Sequence, residues 1–491
     1  MTRTRICFYV LLLVPFLVYF QTITHDFGFR DDYSNLREAR EEPGKLVKFT
    51  ASHGRPLYGA LLETSFDKAA DVGNLPWLRL TSVLLLTLLG LALWRQLYQS
   101  GWTEIQAAAV GLGVTLLPAA QVTASWAVCW PHVLALLLSM AGFSAIETEL
   151  ERGGMKRIVA LFGGCMIYLL AGLLYQSNAL FAVVPIAAVL LVRAGREPLT
   201  DLRWAIVHLG ALIIGLVGSY LTVNWLFSSG VFRASARMQI EGDILGKLGW
   251  FFWQPLPNAL GLFALRDSFT QATVVFWCAV LVTVGVIGWG VKTATEPTLK
   301  KKWLLCLVVL PFLAHAVSFA AAERAIGYRT LFTLSGLVLV LVMFALRSLQ
   351  AAGVFKPWLH HTILGLIIAG AGLAANRHAF TLLAEPQGYE WELVLTPVMR
   401  STFTTGTKVY LITPTPADRA TELSFADEFG SLSSDSDWVP KEMFKCALRE
   451  RFGHKLPKGV SYTLTLGREA PAPGAYDLVI DMRKLSRWRG L

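Results

Sequence analysis

The feature that most constrains this chain is a series of apolar blocks, several of which run for about twenty residues. A helix of that length crosses the hydrocarbon core of a bilayer, and its backbone groups bond to one another rather than to lipid. Hydrophobic residues make up 54% of the chain and charged residues only 16%, which is too apolar for a soluble protein of 491 residues. The sequence therefore predicts an all-α polytopic membrane protein.

Hydropathy predicts about eleven transmembrane helices. They are expected at 6–24, 75–94, 104–120, 128–146, 157–174, 179–192, 204–227, 271–291, 303–320, 330–347 and 361–380. The connectors that would then lie in the cytoplasm are basic, with Arg95, Arg157 and residues 300–302 among them. The short outward connectors around Ala124 and Gln176 contain no Lys or Arg. This pattern follows the positive-inside rule and predicts an N-in, C-out topology with an uncleaved first helix.

Three outward segments are too long to be simple turns, and they define the predicted domains. The transmembrane domain, 1–380, contains the outward loops 25–74 and 228–270, and the remainder, 381–491, is an extracytoplasmic C-terminal domain. This last part is polar and turn-rich, which favours a small α/β domain with its own modest core. Its strand-like runs are Lys408–Thr413, Tyr462–Leu466 and Tyr476–Ile480.

The net charge of +10 does not indicate a nucleic-acid partner. The Lys and Arg residues are scattered among short connectors, where they act as orientation signals and meet lipid headgroups. We expect membrane lipids, and no nucleic acid, among the partners.

Asp31 and Asp32 are adjacent carboxylates in the first outward loop, close to the membrane surface. One of them can act as a base if its surroundings keep it ionised near neutral pH. Alternatively, Asp32 is the N-cap of a short helix from Tyr33 to about Glu41, and Asp31 favours the dipole of the same helix. Both interpretations stand on these residues, and for the base we favour Asp31 because Asp32 is the better cap.

The first helix with its N-terminus inside, followed by an aspartate pair in the first outward loop, is similar to the GT-C superfamily of membrane glycosyltransferases. Within it, Arg30–Arg37 together with Gly54–Leu57 resembles the GtrII-type O-antigen glucosyltransferase family. The likeness is specific over residues 6–75 and general in the multi-span body.

This resemblance implies an inverting glycosyltransferase in a bacterial inner membrane, with its active site facing the periplasm. The donor would be a hexose such as glucose on polyprenyl phosphate, and the acceptor a surface glycan such as the O-antigen of lipopolysaccharide. An aspartate, Asp31 or Asp32, would be the base.

A leaving phosphate requires cations, and the late outward connector Glu323–Arg329 contains two arginines against the orientation bias. The alternative is that these arginines reach lipid headgroups or pair with Glu323 and the loop carboxylates. We assign Arg329, Arg324, Arg55 and Arg30 to the donor phosphate, and His53, Tyr328 and Glu323 to substrate binding.

The sequence requires no metal and we assign no metal ligands, although the aspartate pair could anchor a metal and a divalent cofactor stays open. Two other functions also stay open. A transporter or flippase of lipid-linked sugars would show related halves and charges at the midplane of the membrane. A polymerase or ligase of surface polysaccharide would have its catalytic site in a late outer loop, such as Glu323–Arg329.

Overall fold

The computed structural model of the protein describes residues 3–150, 154–193, 198–266, 270–324, 326–414 and 428–483. Most of these residues are helical. The α-helices are Arg3–Val18 (α1), Phe20–Thr24 (α2), Asp31–Glu41 (α3), Lys45–Ser52 (α4), Pro56–Ala69 (α5), Leu75–Gln99 (α6), Glu104–Leu116 (α7), Pro118–Ser125 (α8), Trp130–Leu150 (α9), Gly154–Leu174 (α10), Gln176–Ala179 (α11), Val183–Val192 (α12), Pro198–Ser228 (α13), Ile244–Trp253 (α14), Pro255–Leu260 (α15), Thr270–Thr293 (α16), Pro297–Leu304 (α17), Leu310–Ala314 (α18), Ala316–Ala320 (α19), Phe332–Ala351 (α20), Pro357–His378 (α21), Glu385–Arg400 (α22) and Val439–Phe452 (α23).

Seven helical stretches in the described part of the chain are long and apolar enough to cross a membrane. They are Val72–Gln99, Ala127–Leu150, Gly154–Leu174, Thr200–Ser228, Thr273–Thr293, Tyr328–Ala351 and Pro357–Arg400. An eighth span results if α7 and α8, which meet at an angle of 53°, are one broken crossing. The protein is thus a multi-pass membrane protein, while the expected count of about eleven and the N-in, C-out orientation stay predictions.

Four predicted spans are shorter or broken for local reasons. The span at 6–24 is divided between α1 and α2, and the one at 104–120 bends before Pro118, which cannot continue the hydrogen-bond ladder of α7. The span at 179–192 is the short α12, which is buried by protein along nearly its whole length. The span at 303–320 is interrupted by a π-helical turn at Leu305–Val309.

Helix α20 lies at the centre of the bundle. In its span, Tyr328–Ala351, 89% of the most apolar window is buried, compared with 28% in Thr273–Thr293. A helix that is apolar on all sides and buried on all sides belongs in the core of a bundle. The turn Tyr328–Leu331 therefore holds Arg329 at the end of the most enclosed helix.

The C-terminal part of the chain contains a small parallel sheet, as the strand-like runs predicted. Its strands are Thr407–Ile412 (β1), Tyr462–Gly467 (β2) and Leu478–Asp481 (β3), in the order β2-β1-β3. Helix α23 connects β1 to β2 and buries Met443 and Phe444. The boundary at 380 lies inside the continuous helical stretch Pro357–Arg400, and the division into domains stays a prediction.

The first outward loop forms α3, α4 and α5, and α3 packs against α23 of the C-terminal part. The Arg449 guanidinium donates to the Leu36 carbonyl oxygen at 2.9 Å. The Arg37 side chain also pairs with Glu442 at 2.6 Å. Segments about 400 residues apart in sequence thus form one surface above the bundle.

Candidate functional site

Asp32 is a fully buried carboxylate that ties two segments of backbone together. Its Oδ2 accepts the N–H of Phe29 at 2.9 Å, and its Oδ1 accepts the N–H of Val128 at 3.1 Å. The interpretation of Asp32 as the N-cap of a helix that begins at Tyr33 is wrong, because α3 begins at Asp31 with Arg30 in the N-cap position. Both carboxylate oxygens hold protein backbone, so Asp32 shapes the loop.

Arg79, a residue of α6, holds the backbone that leads into the same loop. It is buried inside α6, and its guanidinium donates to the carbonyl oxygens of Thr22 at 2.6 Å, His25 at 2.6 Å and Phe27 at 2.8 Å. An arginine can satisfy several carbonyls at once because its five N–H groups point outward in one plane. Sequence reasoning missed Arg79, because a single cation within an apolar block resembles a residue that reaches for headgroups.

The pKa of Asp32 is raised to about 7, chiefly because burial disfavours its charged form. The hydrogen bond from the Phe29 N–H and the charge of Arg79 act in the opposite direction, whereas the charge of Asp31 raises the pKa further. The Asp32 carboxyl group is thus buried, with one hydrogen bond at each oxygen.

Asp31 differs from its neighbour because its side chain is exposed. Among the described residues, no donor lies within hydrogen-bond or ion-pair distance of its carboxylate. The protein around it raises its pKa by desolvation, while the charges of Arg329, Arg30 and Arg237 lower the pKa. Asp31 is therefore an exposed residue whose carboxylate is influenced by the charges of three arginines and of Glu38.

Two of these cations, Arg30 and Arg329, each contact one ring of an aromatic pair. The rings of Phe29 and Trp126 meet edge to face with their centroids 4.6 Å apart. The Arg30 guanidinium carbon lies 5.1 Å from the Phe29 centroid, and that of Arg329 lies 4.5 Å from the Trp126 centroid. Cation–π contacts of this kind hold a guanidinium in one plane.

Arg30 also has a strained backbone, with φ +44° and ψ −103° at a residue that is not glycine. Such a conformation costs about 1–3 kcal/mol and persists only where the surroundings impose it. Its N–H donates to the Ser433 hydroxyl at 2.8 Å. The C-terminal part of the chain therefore helps to impose the geometry beside Asp31.

A cavity with a volume of about 260 Å³ lies between the outward loops and two helices of the bundle. It brings together three residues that the sequence assigned to the site, His53, Arg55 and Glu323. Its other polar lining includes Arg237 and Gln176. Its apolar wall consists of Leu216, Tyr220 and Val223 from α13, and Val317 and Ala320 from α19.

Arg55 is held at this cavity by polar and aromatic contacts. Its Nε donates to Gln176 Oε1 at 3.1 Å, and its guanidinium carbon lies 4.4 Å from the Tyr175 centroid. The Gln176 amide in turn donates to the Gly54 carbonyl at 2.6 Å. Gly54 has φ +78°, and a Cβ there would lie 3.0 Å from the Gln176 amide nitrogen, so this position favours glycine.

The remaining polar groups of the cavity have partners of their own. Arg237 Nε lies 3.7 Å from Glu323 Oε1, and both side chains are largely exposed. His53 Nδ1 lies 2.8 Å from the Phe49 carbonyl oxygen. Burial lowers the pKa of His53, and the charge of Arg237 lowers it further, so the imidazole is neutral at neutral pH.

Arg237 connects this cavity with the surroundings of Asp31, because it lines the cavity and its charge also lowers the pKa of Asp31. Sequence reasoning regarded Arg237 only as a headgroup contact in the loop 228–270. It did not single out Trp126 or Glu428. A basic residue in an outward loop was the available signal for Arg237, whereas the contacts of Trp126 and Glu428 are visible only after folding.

Arg324 and Tyr328, also assigned from the sequence, are engaged elsewhere. The Arg324 guanidinium pairs with Glu241 at 3.2 Å and Asp243 at 3.0 Å, and it does not line the cavity. Tyr328 is 2% exposed, and its hydroxyl accepts the Arg266 N–H at 2.9 Å. Within the described ranges, no three His, Cys, Asp or Glu side chains are grouped so as to hold a metal ion.

No protein-family model matches the chain, and no curated protein matches it in sequence. Solved structures of the oligosaccharyltransferase from Archaeoglobus fulgidus resemble its fold. The form tethered through a disulfide bond to an acceptor peptide with the NVT sequon is 12% identical, with a TM-score of 0.42, and the match covers 82% of this chain and 62% of that one.

Two further forms of the archaeal enzyme give similar values. The complex with Zn and sulfate is 10% identical, with a TM-score of 0.44 and coverage of 84% and 60%. AglB with an inhibitory peptide and a dolichol-phosphate is 12% identical, with a TM-score of 0.37 and coverage of 82% and 62%. This chain therefore spans only 60–62% of the length of those chains. Scores at this level describe a general likeness of fold.

Proposed function

We propose that this protein is a GT-C type glycosyltransferase that moves a hexose from polyprenyl phosphate to a glycan on the extracytoplasmic face of the membrane. One set of observations carries the proposal: Asp31 is an exposed residue whose pKa is lowered by the charges of Arg329, Arg30 and Arg237, and Arg237 also lines a cavity that contains both charged and apolar side chains. The resemblance of Arg30–Arg37 and Gly54–Leu57 to GtrII-type enzymes agrees with it.

The cavity suits a lipid with a charged head. Leu216, Tyr220 and Val223 belong to α13, a helix long and apolar enough to cross the membrane, and Tyr220 is 48% exposed. An isoprenoid chain can lie along such a wall while its phosphate meets Arg55 and Arg237. A soluble sugar nucleotide would not need the apolar wall.

Asp31 would act as the general base. Its carboxylate takes the proton of an acceptor hydroxyl as that oxygen attacks the anomeric carbon of the donor sugar. The bond between the anomeric carbon and the phosphate oxygen breaks in the same step, which inverts the anomeric configuration. The products are the glycosylated acceptor, protonated Asp31 and polyprenyl phosphate. Asp32 would hold the loop that carries Asp31, through its bonds to Phe29 and Val128.

The negative charge that develops on the leaving phosphate requires cations fixed in advance. Arg329 is held against Trp126, and Arg55 against Tyr175, so neither guanidinium needs to be ordered during the reaction. Arg30 supplies a further positive charge near Asp31. Arg324 is omitted from this set because two carboxylates, Glu241 and Asp243, accept hydrogen bonds from its guanidinium at 3.2 Å and 3.0 Å, whereas the ion pair of Arg329 with Glu428 is longer, at 3.9 Å.

A donor carried by lipid agrees with an outward-facing site, because sugar nucleotides are not available outside the cytoplasmic membrane. The proposed location is a bacterial inner membrane with the site in the periplasm, and the proposed acceptor is O-antigen of lipopolysaccharide. The proposed N-in orientation, which the positive-inside pattern supports, is consistent with this location.

Mass spectrometry of surface glycans from cells with and without the protein tests the proposal. We expect an added hexose on the glycan only in cells that contain the protein, and none when Asp31→Asn replaces the wild type at equal membrane abundance. Glycans of identical mass in all three strains would contradict the proposed function. A hexose added at the wild-type level by Asp31→Asn would contradict the assigned base.

A further inference from the structure

Glu428 is a fully buried carboxylate beside Arg329 that the proposed chemistry does not use. Its Oε2 accepts the N–H of Tyr328 at 3.0 Å, and its Oε1 lies 3.9 Å from Arg329 Nε. A carboxylate removed from water is costly unless it is paired with a charge and hydrogen-bonded. Glu428 meets both conditions at the turn that carries Arg329.

Glu428 begins a segment, 428–434, that leads from Arg329 to Arg30. Its middle is fixed by backbone contacts: Gly430 donates to the Leu382 carbonyl at 2.8 Å. Near its end, the Ser433 hydroxyl accepts the N–H of Arg30 at 2.8 Å. One short segment thus contacts both arginines that flank the exposed carboxylate.

Helix α22 holds this segment in place from the other side. The buried Glu390 carboxylate accepts the N–H groups of Ser433 at 2.9 Å and Ser434 at 2.8 Å. Gln387 donates to the Ser431 carbonyl at 2.7 Å and accepts the Ser433 hydroxyl at 2.6 Å. A segment with so many fixed donors and acceptors has little freedom to move.

We propose that Glu428 is a positioning residue that orients the Arg329 guanidinium toward the phosphate of the lipid donor, so that donor binding depends on the C-terminal part of the chain. This inference rests on the proposed function. An arginine side chain loses rotamer entropy when it binds a phosphate. The Trp126 ring on one face and Glu428 at Nε restrict the side chain before the donor arrives.

A purely structural carboxylate would behave differently, and the chain contains a matched control. Glu442 is also nearly buried, also belongs to the C-terminal part, and also pairs with an arginine, Arg37, at 2.6 Å. Arg37 is not among the arginines proposed to bind the donor phosphate, and it also pairs with Glu38 at 3.2 Å. Glu442→Gln therefore removes a closer ion pair, at 2.6 Å compared with 3.9 Å, without touching the residues proposed to bind phosphate.

The test measures binding of radiolabelled polyprenyl phosphate to the full-length purified protein in detergent. We expect Glu428→Gln to weaken binding about tenfold, because without the neighbouring charge the Arg329 side chain must be ordered when the ligand binds. We expect Arg329→Gln to weaken binding by at least the same factor, and the double variant to bind no more weakly than Arg329→Gln alone. Glu442→Gln should bind as the wild type does.

The outcomes separate the two proposals. If the wild type binds polyprenyl phosphate and Glu428→Gln binds it equally well, or if the effects of the two substitutions simply add, the positioning role is wrong and the proposed function stands. If the wild type does not bind polyprenyl phosphate, both are wrong. If Glu428→Gln does not fold, Glu428→Asp keeps the charge, and its binding must still be weaker than that of the wild type because the shorter side chain displaces the carboxylate.

Discussion

Two clusters of charged residues lie at opposite ends of the helical bundle and are built differently. Trp130, near the candidate site, and Glu147 are 17 positions apart on α9, which corresponds to about 25 Å along the helix axis. At the far end, Glu147 Oε2 contacts the indole nitrogen of Trp204 at 2.7 Å and His208 Nε2 at 2.9 Å. Asp201 there pairs with Arg193 at 3.3 Å and Lys302 at 2.6 Å.

The far cluster connects four helical segments, and its two carboxylates are enclosed and paired. At the candidate site, Asp31 is exposed and no donor among the described residues binds it. Complete pairing of buried charges holds helices together, whereas a carboxylate left open to solvent among cations is available to a ligand. The two ends of the bundle therefore differ in how completely their carboxylates are paired with cations, rather than in how many charged residues they contain.

The largest effect is expected from Asp31→Asn, which removes the proposed base without changing its size. The rate of sugar transfer should fall by about 10²–10⁴-fold, the usual contribution of general-base catalysis. The thermal midpoint should stay at the wild-type value, because no described side chain binds this carboxylate. Asp32→Asn provides the contrast, since it disturbs bonds to Phe29 and Val128 and should lower the midpoint. Full transfer activity in Asp31→Asn would show that the exposed carboxylate does not act in catalysis, and it would contradict the functional distinction between the two clusters.

Asp201→Ala should have the largest effect on stability. It removes the carboxylate that joins Arg193 to Lys302, and breaking a buried ion pair costs about 3–5 kcal/mol of unfolding free energy. Unfolding in detergent micelles measures the loss, and the transfer rate per folded molecule should not change. Lys300→Ala, at an exposed position of α17, is the control and should leave stability unaltered. A stable Asp201→Ala protein would show that the far cluster does not hold the helices.

The pH dependence of transfer sharpens the comparison further. Because a base must be ionised, kcat/KM should rise with pH along an acid limb that reports the pKa of Asp31. Burial raises that pKa, and Arg329 lowers it. Removing the positive charge with Arg329→Gln raises the pKa of Asp31, so the limb should move to higher pH. A shift to lower pH, or no shift, would contradict the proximity of these two charges.

The smallest effect is expected from Arg324→Gln. Its ion pairs with Glu241 and Asp243 lie at the surface, where solvent screens them, and it does not line the cavity. Transfer rate, donor KM and the pH profile should all match those of the wild type. A rise in donor KM comparable to that of Arg329→Gln would contradict the omission of Arg324 and would support its assignment to the donor phosphate.

Much of the fold could be predicted from local sequence. The apolar blocks at 75–94, 128–146 and 330–347 became long helices, and the strand-like runs of the C-terminal part became strands of one sheet. Broken elements were harder to predict. Hydropathy averages over a window, so it does not register the bend between α7 and α8 or the π-helical turn at Leu305–Val309.

By itself, the sequence determined that this protein crosses a membrane and that Asp31 and Asp32 share one loop, because hydropathy and position along the chain are local properties. Only the tertiary structure decided that Asp32 is bonded to backbone while Asp31 is exposed. It also decided that Arg329 packs on Trp126, whereas Arg324 pairs at the surface. The physical reason is that partners and burial depend on segments distant in sequence, such as Val128 and Ser433, which meet the first loop only after folding.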